Sequence, residues 1–595
     1  MPIEQFSAAD RQSIAAVEES LDGMLTRLHA IVAEPALSQD TLVEIMSIYN
    51  NVAYVFLYLE AIDDEDNHQR LLPKRALFHE DAALDARLLD LMSRMHCDEP
   101  EVEEARLEFV DQLCKGRTHD PAPDRRINEL LCSAKQTLDR IREDQSGLLE
   151  RLGVGTAAAT NPAAVFYKLT GQTKSEATRE KLARAWQNVR DGRLDELVPI
   201  IDEMVAVRRA DSAAAGYESA LARSIERSRV GTDEIRRFLD DYLVRAVASH
   251  SRLEDEIRTV TGIVDRPMDH FAFAMNSVFG TSHSPLFELD ECLSFIFAVA
   301  ESVFGLTMHR VADTYADVPT YDVHNADGLV GQITFDLWNR DRKIAGNYTQ
   351  GIRNRTDWSD VVQRPVAYVA CRFQTNQDGA RRITFQNVHS LFHEFGHAVN
   401  HLLIRKRLSY QSGLEYLPPE RLECLSMWFE KWVYHVEFAR HLSLPADDAN
   451  ALERCGRIKM IEYRRTYVER AVSAALDFEL HSSPSGGYAE AYRRLDERLG
   501  ISRFTTYGDF PAYFTWPMYM AKPGANFSYL WGSADSSRKF ASFKENSLAE
   551  IAARPGLREL FTPSFDFDAP SEAPDPTALF SFYDTAPLGT AGQPA

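Results

Sequence analysis

Basic residues are in short supply in this chain. Lys and Arg number 66 against 89 Asp and Glu, which gives a formal net charge of −23. A strongly acidic surface repels phosphates, and no basic tract reverses the charge locally. We therefore expect no nucleic-acid partner.

Cysteine pairs and long hydrophobic runs are also missing. The seven cysteines are odd in number, widely spaced and without a C-x-x-C pair, which indicates reduced thiols and not a disulfide framework. No uninterrupted apolar run is long enough to cross a bilayer, and the first residues lack a basic segment followed by an apolar core. We expect a cytoplasmic protein with no secretory signal and no membrane partner.

Helical periodicity is abundant. From about residue 8 to 260, apolar residues recur every three or four positions, which predicts helix after helix. The segment 14–31 shows this spacing, and similar patterns recur around 42–62, 84–95, 101–114, 127–151 and 178–207. Two β-prone runs, 331–337 and 365–373, and a shorter one at 321–323 predict a small sheet. The fold class predicted is mainly α.

A histidine ladder marks one predicted helix, 384–405. His389, His393, His397 and His401 are each four residues apart, so neighbours lie one above another on one face. The whole ladder spans about 18 Å at roughly 1.5 Å per residue, too far for one ion. Only one adjacent pair of these histidines can therefore bind the same ion.

The pair His393 and His397 is distinguished by the acid between its members. Glu394 directly follows His393, whereas neither of the other adjacent pairs has a glutamate there. Two imidazoles can hold an ion beside an open water position, and the glutamate can move the proton that hydrolysis requires. The motif predicts a metal-dependent hydrolase with Glu394 as its general base.

A third protein ligand is expected for a catalytic zinc. After Pro418-Pro419 the chain predicts a second helix over 420–432, which carries Glu420, Glu423 and Glu430 near one face. Spacing alone leaves all three as candidates.

With these motifs in view, the chain resembles the thimet oligopeptidase, oligopeptidase A and dipeptidyl carboxypeptidase family of zinc metallopeptidases. The resemblance runs from about Val303 to Trp531 and rests on segments that include Arg364-Pro365-Val366, Leu391 to His397, and Glu420 to Glu423. It implies a zincin-like fold with two helical lobes around a deep channel and a small sheet beside the active-site helix. It also implies one Zn²⁺ per chain and short peptides as substrates. We separately expect the protein to be a monomer.

The resemblance further assigns individual residues. Glu423 is the implied third ligand beside His393 and His397, and Glu420 and Glu430 are implied supports of the ligands. Tyr529 matches a family tyrosine that stabilises the oxyanion. Tyr519 and Lys522 are candidates for substrate binding.

The loop before Tyr529 departs from the family pattern. Trp516 stands where the family has a histidine, and Lys522 stands where it has a tyrosine. Besides an intracellular oligopeptidase, two alternatives therefore remain open. One is a specialised relative that acts on a dedicated peptide-like intermediate, and the other is a zinc-containing, non-catalytic peptide-binding protein.

The domain organisation follows from the same observations. We predict an N-terminal helical lobe over residues 1–260 and a catalytic zinc-binding region over 261–562. The last segment, 563–595, is rich in Pro and Ala and is predicted to be a poorly ordered tail.

Overall fold

The structure, a computed structural model, describes residues 14–61, 65–118, 121–154, 161–280, 285–311, 318–341, 343, 346–376 and 379–589. The expected start of the first helix near residue 8 and the end of the predicted tail, 590–595, lie outside these residues. Within them the protein is mainly helical with small sheets, so the predicted fold class is confirmed.

The helices follow the predicted periodicity closely. They are α1 (Ile14–Val32), α2 (Gln39–Ala61), α3 (Glu65–His79), α4 (Ala82–Ser93), α5 (Pro100–Thr118), α6 (Ala122–Arg151), α7 (Pro162–Gln172), α8 (Glu176–Asp191), α9 (Leu194–Ala214), α10 (Ala220–Ser224), α11 (Thr232–Thr261), α12 (Phe271–Phe279), α13 (Leu289–Phe304), α14 (Phe385–Leu403), α15 (Pro419–Leu422), α16 (Cys424–Phe429), α17 (Val436–His441), α18 (Ala446–Arg465), α19 (Tyr467–Ser482), α20 (Tyr488–Leu499), α21 (Pro517–Ala521), α22 (Phe527–Phe540), α23 (Leu548–Ala552), α24 (Thr562–Phe565) and α25 (Thr577–Tyr583). The helix predicted over 178–207 is two helices, α8 and α9, which are separated at Gly192 and Arg193.

The strands lie between α12 and α14 in the chain. They are β1 (Leu286–Glu288), β2 (Thr307–Arg310), β3 (Thr320–Asn325), β4 (Gly328–Trp338), β5 (Tyr348–Arg353), β6 (Thr356–Trp358), β7 (Val361–Gln363), β8 (Val366–Phe373) and β9 (Arg382–Thr384). The largest sheet has the order β2-β3-β4-β8-β5, in which β4 and β8 are parallel and the other pairs antiparallel. The predicted runs 331–337 and 365–373 coincide with β4 and β8.

The five-stranded sheet is covered on both faces. Val366, Tyr368 and Ala370 of β8 belong to the core formed with the N-terminal helices, and the alternate residues of the strand face the other way. Helix α14 packs against β4, β5 and β8. Because β8 is buried along almost its whole length, the sheet forms a rigid floor for α14.

The chain divides into two compact units, each built from three stretches. The first unit comprises Met1–His119, Leu286–Ser443 and Ser542–Pro570, and the second comprises Asp120–Pro285, Leu444–Ala541 and Ser571–Ala595. The segments predicted from the sequence were contiguous, whereas these units interleave along the chain.

Helix α2 is long and apolar enough to cross a bilayer, with a mean hydropathy of 1.4 over its best window. The periodicity near 42–62 predicts this helix, but the sequence was not expected to contain an apolar stretch of that length. However, 78% of that window is buried inside the protein, where α2 supplies much of the first unit's core. Its hydrophobicity is therefore accounted for by packing. None of the seven cysteines forms a disulfide in the structure.

The segment predicted to be a poorly ordered tail is packed in its described part. Helix α25 buries Leu579, Phe580 and Tyr583 in the core of the second unit. The rings of Tyr583 and Tyr463 stack with centroids 4.3 Å apart.

Helix α25 provides a test of this packing. Tyr583→Ala should lower the free energy of unfolding of the second unit by about 3–5 kcal/mol, the usual range for removing a buried aromatic ring. Denaturant unfolding of the full chain measures the change. Glu572→Ala, at an exposed position of the same segment, is the control and should stay within about 0.5 kcal/mol of the parent. Equal stabilities for the two variants would contradict the packing.

Candidate metal centre

Helix α14 carries the candidate site and begins where the sequence predicts. The Thr384 side chain caps it by accepting a hydrogen bond from the Asn387 N–H at 3.2 Å, which satisfies one of the free N–H groups at the helix start. Val388, Phe392 and Phe395 are fully buried. The apolar stripe fixes the rotation of the helix, and the histidines consequently share a neighbouring face.

His393 and His397 lie side by side on that face. Their ring centroids are 5.0 Å apart, as expected for residues one helical turn apart. The His397 side chain is 11% exposed and that of His393 is 20% exposed. The pair is therefore largely shielded from bulk water but remains accessible to it.

Glu423 completes a three-residue group. Its Oε2 lies 3.4 Å from Nε2 of His393 and 3.4 Å from Nε2 of His397. The helix predicted over 420–432 is interrupted here, because Glu423 sits between α15 and α16. Ser426 donates a hydrogen bond from Oγ to the same Oε2 at 3.0 Å, which orients the carboxylate towards the imidazoles.

The separations within this group suit a single metal ion. Tetrahedral zinc with nitrogen and oxygen ligands at about 2.0–2.2 Å sets neighbouring ligand atoms about 3.4 Å apart. Both measured contacts with Glu423 Oε2 have that length, and all three ligand atoms lie within 4.8 Å of one another. The donor set of two imidazoles and one carboxylate therefore fits an ion of this size.

Glu430 fixes the orientation of His393. Its Oε2 lies 3.1 Å from His393 Nδ1, and an ionised carboxylate can only accept a hydrogen bond. Nδ1 therefore donates, so that in neutral His393 the lone pair of Nε2 faces Glu423. Carboxylates that hold a ligand histidine in this way are a regular feature of metal sites.

The group attracts positive charge. Burial alone would lower the pKa of His393, but its hydrogen bonds to Glu423 and Glu430 raise that pKa well above its ordinary value. Burial would also raise the pKa of Glu423, yet His397 and His393 hold it well below its usual range. Two buried carboxylates thus remain ionised beside the imidazoles, an arrangement that a bound cation would stabilise.

The outer members of the ladder lie outside this group, as the sequence analysis expected. His401 is buried, and its Nε2 is 2.9 Å from the carbonyl oxygen of Arg353 on β5. Burial lowers its pKa to about 4, so it serves as a neutral core histidine. His389 Nε2 lies 3.9 Å from Glu430 Oε2, next to the supporting carboxylate and away from Glu423.

Glu394 is buried and is held by a strand residue that the sequence analysis did not identify. The Thr349 hydroxyl on β5 lies 2.9 Å from Glu394 Oε2 and 2.8 Å from its carbonyl oxygen. No pattern in the sequence could reveal this contact, since it depends on how β5 pairs with β8 and on how α14 crosses the sheet.

The remaining predicted site residues have different positions. Glu420 is 1% exposed in α15 but is not part of the three-residue group. Tyr519, Lys522 and Tyr529 belong to the second unit, at α21 and α22. Tyr519 donates a hydrogen bond to Ser473 Oγ at 3.0 Å. Because the histidine pair belongs to the first unit, the roles of these three residues stay predictions.

A second group with suitable separations occurs among the described residues. Glu176, Glu180 and His270 have ligand atoms within 4.8 Å of one another. However, Arg179 donates a hydrogen bond from Nε to His270 Nδ1 at 2.9 Å, so neutral His270 carries its proton on Nε2 and has no free lone pair. A guanidinium this close also opposes a cation, and we do not assign a metal here.

Comparisons with known proteins relate the chain to peptidases. The family model described as Peptidase family M3 matches residues 169–558. Oligopeptidase A of Salmonella typhimurium is 23% identical over 407 residues, which cover 63% of this chain and 60% of that protein. The dipeptidyl carboxypeptidase of Escherichia coli is 25% identical over 332 residues, 51% of this chain and 48% of that protein. The chain thus spans about half to three fifths of the length of these relatives.

One solved structure shares the fold. It is described as a putative oligoendopeptidase F, and it superposes with a TM-score of 0.52 at 13% identity, covering 95% of this chain and 94% of that chain. At this identity the likeness concerns the fold alone.

The close approach of α14 to α16 can be tested at Gly396. A Cβ atom added there would lie 2.5 Å from Ser426 Cα, so Gly396→Ala must push the two helices apart and move Glu423 from the histidines. We expect a loss of about 1–3 kcal/mol in stability and weaker zinc binding. Unfolding and zinc titration measure both effects.

The matched control is Gly23→Ala in α1, where an added Cβ meets nothing within 4 Å. This substitution should stabilise the chain by about 0.5–1 kcal/mol, because alanine is the better helix former. A Gly396→Ala protein as stable and as zinc-competent as this control would refute the close-contact geometry.

Proposed function

This chain belongs to peptidase family M3, and on that premise we propose that it is a zinc-dependent peptidase that hydrolyses short oligopeptides. The observation that carries the proposal is Glu423 Oε2, 3.4 Å from Nε2 of both His393 and His397. The names of its relatives, an oligopeptidase and a dipeptidyl carboxypeptidase, support peptides as substrates. We further propose that it acts as a monomer and that it is located in the cytoplasm, a location that suits a chain without disulfides.

The residues divide into those that hold the ion and those that handle protons. His393 and His397 through Nε2, and Glu423 through Oε2, would bind one zinc ion, while Glu430 keeps His393 in the required tautomer. When bound, zinc supplies Lewis acidity and lowers the pKa of a coordinated water towards about 7. The chain's own task is to place a base beside that position.

Glu394 is the proposed base. Its carboxylate takes a proton from the attacking water and returns it to the amine that leaves when the peptide bond breaks. The helix sets its backbone next to His393, and the Thr349 hydroxyl, 2.9 Å from Oε2, limits its rotation. From the family resemblance, Tyr529 is the proposed oxyanion donor. Tyr519 and Lys522, in the segment that departs from the family, are proposed substrate contacts.

A second candidate function is a specialised peptidase that acts on one peptide-like intermediate. The observation that favours it is the presence of Trp516 and Lys522 where the family has a histidine and a tyrosine. Loss of one oxyanion donor commonly slows acyl transfer by about 10²–10³. Narrow cleavage of a peptide library by the zinc-loaded protein would favour this candidate over a general oligopeptidase.

Replacement of the base tests the proposed chemistry. Glu394→Gln should keep about one zinc ion per chain while hydrolysis of a mixed library of short peptides, followed by mass spectrometry, falls by at least about 10². Glu301→Gln, at an exposed position of α13, is the control and should cleave as the parent does. Undiminished cleavage by Glu394→Gln would eliminate this residue as the base.

The contact between Thr349 and Glu394 gives a finer prediction. Thr349→Val keeps the shape of the side chain but removes the hydroxyl, so kcat should fall by roughly tenfold, as for a lost hydrogen bond to a charged group. KM and zinc content should be unchanged.

Thr349→Ser restores the hydroxyl and should recover most of the rate. If the valine variant keeps the rate of the parent while the serine variant is slow, Thr349 acts through packing alone, and its positioning role is wrong.

A further inference from the structure

A cavity of about 460 Å³ lies entirely within the second unit. Its walls come from α7, α8, the turn Pro267–His270 with the start of α12, and the segments around residues 465–469 and 504–509. Small-molecule sites usually enclose about 300–1,000 Å³, so the size is sufficient for an organic ligand. None of the residues of the candidate metal centre lines it.

One wall of the cavity is aromatic. Phe166 and Trp186 stack with ring centroids 4.3 Å apart and planes inclined by 17°. Tyr167 and Phe271 contribute further ring surface, with centroids 6.5 Å apart. Such a wall favours a ligand with an aromatic or large apolar side chain.

Two of the charged pairs in the cavity are already neutralised within the protein. Arg190 forms an ion pair with Asp509 and donates a hydrogen bond to Thr506 Oγ1 at 2.9 Å. Arg266 Nε lies 2.8 Å from Asp269 Oδ2. These four groups shape the cavity but leave little charge for a ligand.

Two further charges of opposite sign have no ionic partner in the described part of the chain. The guanidinium of Arg465, at the end of α18, lies 5.4 Å from the centre of the Phe271 ring and makes no ion pair there. Glu469, in the first turn of α19, accepts a hydrogen bond from the Tyr513 hydroxyl and makes no ion pair with a described residue. Both side chains line the same cavity.

Some uncharged polar groups of the cavity wall also make no hydrogen bond to the described residues. Within the described residues, the Gln187 amide and the Tyr167 hydroxyl make no hydrogen bond to the protein. His250 is 6% exposed, and its Nδ1 likewise has no hydrogen-bond partner among them. A buried polar atom is normally satisfied, so His250 Nδ1 is suited to a contact with a ligand, whereas Tyr167 is 39% exposed and can form a hydrogen bond with water.

We propose that this cavity binds a small zwitterion with an aromatic side chain, such as a free aromatic amino acid. Arg465 takes the carboxylate, Glu469 takes the ammonium group, and the ring packs against Phe166 and Trp186. Guanidinium–carboxylate pairs are strong and directional, and the opposite charges of the two side chains match those of the ligand. This site is separate from the metal centre and goes beyond the proposed function.

The test uses the full chain and L-phenylalanine as the probe, with binding followed by calorimetry. The parent protein should bind L-phenylalanine about tenfold or more tightly than either N-acetyl-L-phenylalanine, which lacks the ammonium group, or L-phenylalaninamide, which lacks the carboxylate. Because these comparisons use the unchanged protein, they do not depend on the folding of any variant.

Variants then assign the contacts. Arg465→Gln should abolish the preference for phenylalanine over its amide, and Glu469→Gln should abolish the preference over the N-acetyl compound. Arg493→Gln removes an exposed arginine of α20 that pairs with Glu497 and should leave both preferences unchanged. Treatment with a chelator should also leave binding unchanged.

Three results would overturn the proposal. The first is the absence of phenylalanine binding at millimolar concentration. The second is equal binding of phenylalanine and both analogues by the parent protein. The third is binding that a chelator abolishes, which would assign the amino acid to the metal centre.

Discussion

The carboxylate of Glu423 faces two imidazoles at once, and much of the first unit serves to make that contact possible. Its Oε2 lies 3.4 Å from both Nε2 atoms, although the residue comes from a different helix than His393 and His397. Glycine at position 396 allows α16 to approach α14 closely enough. The buried strand β8 supports α14 from the opposite side. The sheet, the close crossing of α14 and α16, and Gly396 therefore together determine the distance between Glu423 and the two histidines.

The electrostatics of the contact between Glu423 and the histidines indicates that this site holds positive charge. An uncompensated buried carboxylate is costly, and the first unit buries Glu423 and Glu430 around the imidazole of His393. Such a cluster is stable only when it holds positive charge, whether as protons or as a metal ion. The second unit shows the opposite case in the Glu176, Glu180 and His270 group, where the adjacent Arg179 already supplies the positive charge.

The parts of this site that depend on local periodicity could be predicted from the sequence. The i,i+4 spacing of His393 and His397 and the glutamate between them could be found without coordinates, since a helix places such residues on one face. Choosing among Glu420, Glu423 and Glu430 required either the family resemblance or the distances from Glu423 Oε2 to both Nε2 atoms. The sequence pattern predicts one continuous helix over 420–432, and it gives no sign of the interruption at Glu423.

Contacts between distant segments were beyond such reasoning. Thr349 reaches Glu394 only because β5 is the edge strand next to β8. The interleaved units and the packed helix α25 depend likewise on long-range contacts, which composition does not encode. The role of Tyr529 still rests on the family resemblance, and those of Tyr519 and Lys522 rest on their place in the segment that departs from it.

The most direct measurement of the central claim is the zinc content of the purified chain after dialysis against buffered zinc. The account predicts about one zinc ion per chain in the parent, bound through two imidazoles and a carboxylate oxygen as read by X-ray absorption. It predicts that Glu423→Gln loses nearly all of its zinc, whereas Glu437→Gln, on α17, keeps as much zinc as the parent. A Glu423→Gln protein that retains zinc as the parent does, or a parent that binds none, would contradict it.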